Sequence, residues 1–420
     1  MEMKKYKLGE IATVLAGGTP STKIDKYWNG SIPWLSVKDF CSVNKWVSST
    51  EKTITQEGFD NCPSSMLKKG DLILSARGTV GKIAMADKNM AFNQSCFGLR
   101  AKKDFVTSDF LFYWFLNNQQ IFKGAQQGNV FKSITLDFFE KTNAIIPPLP
   151  TQQKIAAILS SLDDKIALNK KINTKLEAMA KRLYDYWFVQ FDFPNEEGKP
   201  LKTNGGKMVW NEVLKREIPE GWEVVEMSSV IKQINTGLNP RDNFILGNGK
   251  IKYITVKNLT EEGHIDFSNC DLVNSEAQKI IHERSQIQKG DILFASICPL
   301  GRCYLIQDSP EDWDINESVF SIRPNIDRIT SEFLYTLLRE AYYVKKMTQK
   351  ATGSIFKGIR INDIEKIEIV LPPKEVINAF SKKTLPIFNY QLTIQKEIQK
   401  LTDLRDRLLP LLMNGQVEVE

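Results

Sequence analysis

The chain has 420 residues, more than one ordinary core accommodates, so two or more domains are expected. Hydrophobic residues make up 42% and charged residues 25%, and no run of 18 apolar residues occurs, which excludes a transmembrane helix and points to a soluble globular protein. The formal net charge of +6 is unevenly spread: residues 1–150 hold 19 Lys/Arg against 13 Asp/Glu, whereas residues 211–372 hold 20 against 24. Such mild basicity permits a nucleic-acid partner without requiring one.

Taken in chain order, the opening Met1 to Lys5 has no apolar stretch behind it, so no signal peptide is expected. Asp71 to Ser75 reads as a strand and Ser108 to Asn117 as a helix. Pro147-Pro148 closes this region, and a long helix is expected from Thr151 as its N-cap. Along it Ile155, Leu159, Leu162, Ile166, Asn169, Asn173, Leu176, Ala180, Leu183 and Trp187 recur in steps of four and three, a coiled-coil seam with polar positions in its middle. Neither Gly nor Pro interrupts residues 151–192. Ile251 to Val256 reads as a second strand and Ser331 to Met347 as a second helix. A last seam runs through Ile387, Gln391, Ile394, Ile398, Leu401, Arg405 and Leu408, with Pro386 expected to break or kink the helix just before it. The two seams are expected to pair antiparallel.

Much of the chain is written twice. Ile32-Pro33-Trp34-Leu35-Ser36-Val37-Lys38-Asp39 returns as Ile251-Lys252-Tyr253-Ile254-Thr255-Val256-Lys257-Asn258, and Lys69-Gly70-Asp71 as Lys289-Gly290-Asp291. Asn93-Gln94-Ser95 answers to Asn316-Glu317-Ser318, Gly128 to Ile134 answers to Gly353 to Ile359, and Ile145-Ile146-Pro147-Pro148 answers to Val370-Leu371-Pro372-Pro373. The order is kept while the offset drifts only from 219 to 225, which marks duplication of a large domain. Each copy is expected to be a strand-rich α+β domain with polar loops.

Catalytic constellations are scarce. No P-loop, HExxH, GxSxG or dinucleotide fingerprint occurs. The six cysteines form no CxxC pair and read as reduced thiols, and His264 and His282 read as surface or structural residues. Asp163 and Asp164, beside Lys165, read as a solvated helix face. The copies do share loops suited to DNA: glycine for close approach, Arg and Lys for phosphates or guanine, Asn and Gln for adenine. In the first copy the DNA-contact set is Ser36, Lys38, Arg77, Gly78, Thr79, Asn93, Gln94, Asn129, Lys132 and Ser133. In the second it is Arg241, Thr255, Lys257, Asn258, Arg302, Asn316, Glu317, Ser354, Lys357 and Arg360. The frame is kept while edge chemistry changes: Gln94 becomes Glu317 and Arg77 becomes Ile297.

The string Gln153 to Ile166, Leu176-Glu177-Ala178-Met179, Trp187-Phe188 and Phe191 resembles the specificity subunit of type I restriction-modification systems. So do Gly205 to Trp210, Ile218-Pro219-Glu220-Gly221-Trp222, the ending Leu404 to Gly415, and Leu15-Ala16-Gly17-Gly18-Thr19-Pro20 with Tyr27 to Gly30 and Ile32-Pro33-Trp34. The second copy keeps only part of that opening motif, as Asn235 to Arg241.

The resemblance implies an α+β fold of two homologous strand-rich target recognition domains separated by two long antiparallel coiled-coil helices, with pseudo-two-fold symmetry. The expected divisions are 1–150 and 216–372 for the recognition domains, 151–192 for the central helix, 193–215 for a connector and 373–420 for the distal helix and tail. Each domain would read one half of a split, asymmetric site in double-stranded DNA. The helices, through Ile155, Leu159, Leu162, Ile166, Leu176, Leu183, Ile394, Ile398, Leu401 and Leu408, would set the spacer and meet partners. Those partners would be two adenine methyltransferase subunits, which bind S-adenosylmethionine, and two restriction translocase subunits. The chain itself would be non-catalytic and cytoplasmic, with no cofactor, metal or membrane partner. The other reading from the residues is a duplicated protein-binding scaffold without DNA recognition.

Overall fold

A computed structural model describes residues 2–41, 45–124, 134–353 and 357–418. Its repeat begins from a turn. Gly70 and Gly290 take φ of +88° and +92°, a left-handed conformation that costs other residues energy. The aspartate after each glycine reaches back to cap the turn, Asp71 accepting from the Lys68 amide at 2.7 Å and Asp291 from the Gln288 amide at 3.1 Å. The chain then enters a strand buried along its whole length.

In the first copy the strands are β1 (Lys4–Lys7), β2 (Ala12–Ala16), β3 (Trp28–Leu35), β4 (Trp46–Val47), β5 (Lys52–Ile54), β6 (Leu72–Ser75), β7 (Ile83–Ala86), β8 (Ala91–Phe92), β9 (Cys96–Ala101) and β10 (Asn143–Ile146). One sheet has the order β2-β9-β6-β7-β4, another β5-β3-β8, and β1 pairs with β10. A hairpin of β11 (Met208–Asn211) and β12 (Arg216–Pro219) precedes the second copy. That copy contains β13 (Glu223–Glu226), β14 (Ile231–Thr236), β15 (Ile251–Ile254), β16 (Asp271–Val273), β17 (Ile292–Ala295), β18 (Cys303–Leu305), β19 (Trp313–Ile315), β20 (Val319–Pro324) and β21 (Glu368–Leu371).

The order is the same: β14-β20-β17-β18, then β16-β15-β19, then β13 with β21. Even the mixed pairing repeats, since β3 is antiparallel to β5 and parallel to β8, as β15 is to β16 and β19. Only the edge strand β4 lacks a counterpart among the described residues.

The helix Ser108–Asn117 begins on Thr107, whose hydroxyl accepts from the Phe110 amide at 3.3 Å. Thr330 does the same for Phe333 at 3.3 Å, opening Ser331–Leu338. Both helices lie against the buried faces of their sheets. The second does not run to Met347 as its spacing predicts. Glu340 accepts from the Tyr342 amide at 3.0 Å and caps a separate helix, Ala341–Lys350.

The chain divides into two units, 1–170 with 396–420, and 171–395, and each takes a part of both long helices. The first long helix is Leu149–Tyr184, followed by a π-helical turn over Asp185–Val189. It starts two residues ahead of Thr151, because Pro150 in the first turn has no amide to lose there. The second is Lys374–Met413, and it passes through Pro386 without a break. Pro386 and Lys382 are both exposed, so the carbonyl that proline leaves unbonded is on the wet side of the helix.

In the first unit Ile155 and Leu159 join the first copy's core with Leu412 and Met413. Asn169 donates to Glu397 at 2.9 Å, and Arg405 to Asp163 at 2.9 Å. Rising numbers on one helix meet falling numbers on the other, which is antiparallel pairing. Asp163 is therefore not on a solvated face: it is buried, and it also accepts from the Tyr113 hydroxyl at 2.6 Å. Asp164 is the exposed member of the pair. In the second unit Gln391 reaches the Asn173 carbonyl at 3.5 Å, and Trp187 packs on Phe380, again antiparallel. Ile166 and Ile394 are buried, while Leu162, Leu176, Leu183, Ile398, Leu401 and Leu408 are half-buried.

Candidate nucleic-acid interface

Where β3 ends, Ser36 starts a short helix. Its amide and hydroxyl both reach Asp39 Oδ2, each at 2.7 Å, while the Glu51 amide donates to Asp39 Oδ1 at 2.7 Å. Asp39 is thus consumed in holding the loop. Beside it, the Asn93 amide donates to the Leu35 carbonyl at 3.0 Å and Asn93 Oδ1 accepts from the Ser95 amide at 3.1 Å. The exit of β6 supplies a third loop, Arg77-Gly78-Thr79, closed behind by the Lys82 amide on Ser75 Oγ at 2.8 Å. These three loops and β5 enclose an open cleft of about 430 Å³.

The cleft brings together Ser36, Lys38, Arg77, Gly78 and Asn93 from the sequence-derived set. Trp34, Glu51, Lys52 and Ser95 line it as well. Trp34 stands edge-on to Trp28, and its indole N–H donates to the Gly18 carbonyl at 3.0 Å. Lys52 lies over the Trp28 ring at 5.6 Å. Gln94 is exposed next to the cleft and accepts from the Thr19 hydroxyl. Thr79 is exposed on the Arg77 loop. The glycine-rich opening motif has a steric reason: a Cβ on Gly17 would sit 2.2 Å from the Asn93 carbonyl oxygen. Gly237 is under the same constraint from Ile315, so the second copy keeps a glycine where the chain passes against that strand.

In the second copy Thr255 repeats the cap on Asn258, at 2.9 Å from its amide and 3.0 Å from its hydroxyl. Asn258 is buried and its side-chain amide donates to the Asp266 carbonyl, so it faces inward, while Lys257 is exposed. Asn316 accepts from the Ser318 amide at 3.0 Å, as Asn93 does from Ser95. Glu317 has one carboxylate oxygen sealed from water without a partner among the described residues. Arg302 turns to Glu261 at 3.3 Å. The Lys357 carbonyl accepts from the Cys298 amide at 2.8 Å, which seats that segment on the loop matching Arg77. Arg241 and Arg360 are exposed, and no hydrogen bond joins their side chains to the others among the described residues. Asn129, Lys132, Ser133 and Ser354 lie outside the described residues.

Glu51 and Lys52 escape the sequence reading because they reach the site across strands. Register places Lys52 opposite Trp34, and in the second copy Asp271 opposite Tyr253. Since Trp34 and Tyr253 are equivalent, a lysine in one copy stands where the other has aspartate. No residue spacing within the chain announces that partnership.

Burial pushes the Cys96 and Cys303 thiols up to about 12. His282 lies 3.2 Å from the buried Asp314, and His264 contacts Gln395. Among the described residues no group of His, Cys, Asp or Glu is placed to hold a metal ion, and no helix is long and apolar enough to cross a membrane.

One α+β fold built twice, each copy presenting polar loops from the same strand ends, defines a duplicated recognition protein. Residues 1–178 and 219–404 match the type I restriction modification DNA specificity domain. The chain is 31% identical to the type I restriction enzyme MjaIX specificity subunit of Methanocaldococcus jannaschii, over all of this chain and 94% of that one. It is 27% identical to the HindI specificity subunit of Haemophilus influenzae, covering 99% of this chain and 100% of that one. The crystal structure of the type I restriction-modification S subunit from M. genitalium shares the fold, with a TM-score of 0.55 at 15% identity over 98% of this chain and 96% of that one. The chain belongs to this family, the DNA-recognising specificity subunits of type I restriction-modification systems.

Proposed function

We propose that each copy reads one half of a bipartite, asymmetric site in double-stranded DNA, and that the paired long helices set the unspecified spacer and dock two methyltransferase subunits. Two restriction translocase subunits join in the full complex. Adenine methylation, with S-adenosylmethionine and the flipped base, belongs to the partner subunits; this chain supplies specificity. The observation that carries the reading is one scaffold with different loop chemistry in each copy. Arg77, Gln94 and Lys52 stand where the second copy has Ile297, Glu317 and Asp271. Identical modules with identical readers would select a symmetric site; altered readers select an asymmetric one.

The test is a pair of substitutions, Lys38→Ala and Lys257→Ala, in the full chain assembled with its methyltransferase partners. DNA footprints at fixed salt should lose contacts in one half-site for the first variant and in the other half-site for the second. Loss spread over both halves by either change would contradict modular reading.

A further inference from the structure

Among the groups lining the first copy's cleft, the side chains of Lys38, Arg77 and Glu51 make no hydrogen bond or ion pair among the described residues, whereas Asp39 is fully engaged. A phosphate site surrounds its anion with donors, and the free carboxylate of Glu51 opposes that use. A base-pair edge in the major groove instead presents acceptors and donors side by side. Arginine pairs best with two adjacent acceptors, which guanine offers at O6 and N7 and adenine does not. Asparagine reads adenine by donating and accepting at once, but one of the two lone pairs of Asn93 Oδ1 is taken by the Ser95 amide, so this side chain is tied to its own loop while Arg77 is not.

We infer that this cleft reads a G·C pair from the major groove, with Arg77 and Lys52 meeting the guanine acceptors and Glu51 accepting from the cytosine amine. The inference rests on the half-site reading proposed above and names its chemistry for one copy. The second copy cannot repeat it, because Ile297 and Asp271 occupy the equivalent positions.

The experiment measures methylation rates by the full chain with its methyltransferase subunits on duplexes carrying each of the four base pairs at every specified position. Arg77→Ala should lower the preference for guanine at one position of one half-site by roughly 10-fold. The other half-site should keep its specificity. Glu51→Gln should weaken discrimination at that same pair. With the unsubstituted chain, 7-deazaguanine at that position, which lacks the N7 acceptor, should reproduce the loss, while inosine, which lacks only the minor-groove amine, should not. A uniform loss over all sequences with a shallower salt dependence would make Arg77 a phosphate contact and overturn the inference. So would a half-site without guanine. If the unsubstituted chain showed no bipartite preference, the half-site reading itself would fall. If that preference stood and Arg77→Ala left it intact, only the G·C assignment would.

Discussion

Arg323 donates from Nε to one oxygen of Asp291 and from Nη2 to the other, both at 2.8 Å. Arg100 makes the equivalent fork with Asp71 on the first copy, its closer bond at 2.6 Å. In both copies the aspartate also caps the turn that launches the buried strand, so one carboxylate fixes the turn and cross-links it to the neighbouring strand. Asp291→Ala leaves a mostly buried guanidinium without its carboxylate, with only Gln233 and the Gln286 carbonyl as acceptors, and removes the cap. It should destabilise the second copy by about 3–5 kcal/mol. Hydrogen exchange should show lost protection in β17 and β20, with β6 and β9 unchanged; undiminished protection in β17 would contradict this role.

Asn173 is buried in the helix pairing with both side-chain amide atoms unpartnered among the described residues. An unmade hydrogen bond of this kind costs about 1–3 kcal/mol. Asn173→Leu should therefore raise the stability of the second unit, read as a higher urea midpoint for residues 171–395. A lower midpoint would mean that the amide has a stabilising partner.

His264 is held below its ordinary value of 6.5 by burial, with Arg339 acting in the same direction and Glu262 opposing. The folded state thus favours the neutral ring. Its contribution is fully present above pH 6.5 and is lost as pH falls below that value toward the depressed folded one. His264→Gln, which keeps a polar group toward Gln395, should flatten the fall in stability below pH 6.5. Equal slopes in both proteins would show that the ring does not titrate with folding.

Duplication was legible because the constrained residues, Gly70 with Asp71 and Gly290 with Asp291, do local work that few other types perform. The helical seam was legible because its period is local too. Asp163 was not, since a carboxylate beside another carboxylate and a lysine resembles a wet face until Arg405, far along the chain, is brought to it. Glu51 and Lys52 were hidden for a related reason: strand register, not sequence spacing, carries them to Trp34 and Arg77. Pro386 does not break its helix, because solvent satisfies what proline disrupts on an exposed face.

The central claim is that two copies of one fold read two different half-sites. Its most direct test is sequencing of methylated bases in DNA from cells that carry this chain as their sole specificity subunit together with its methyltransferase. The methylated positions should define one motif with two dissimilar specified blocks separated by an unspecified gap of fixed length. A continuous motif, or two identical inverted blocks, would contradict it.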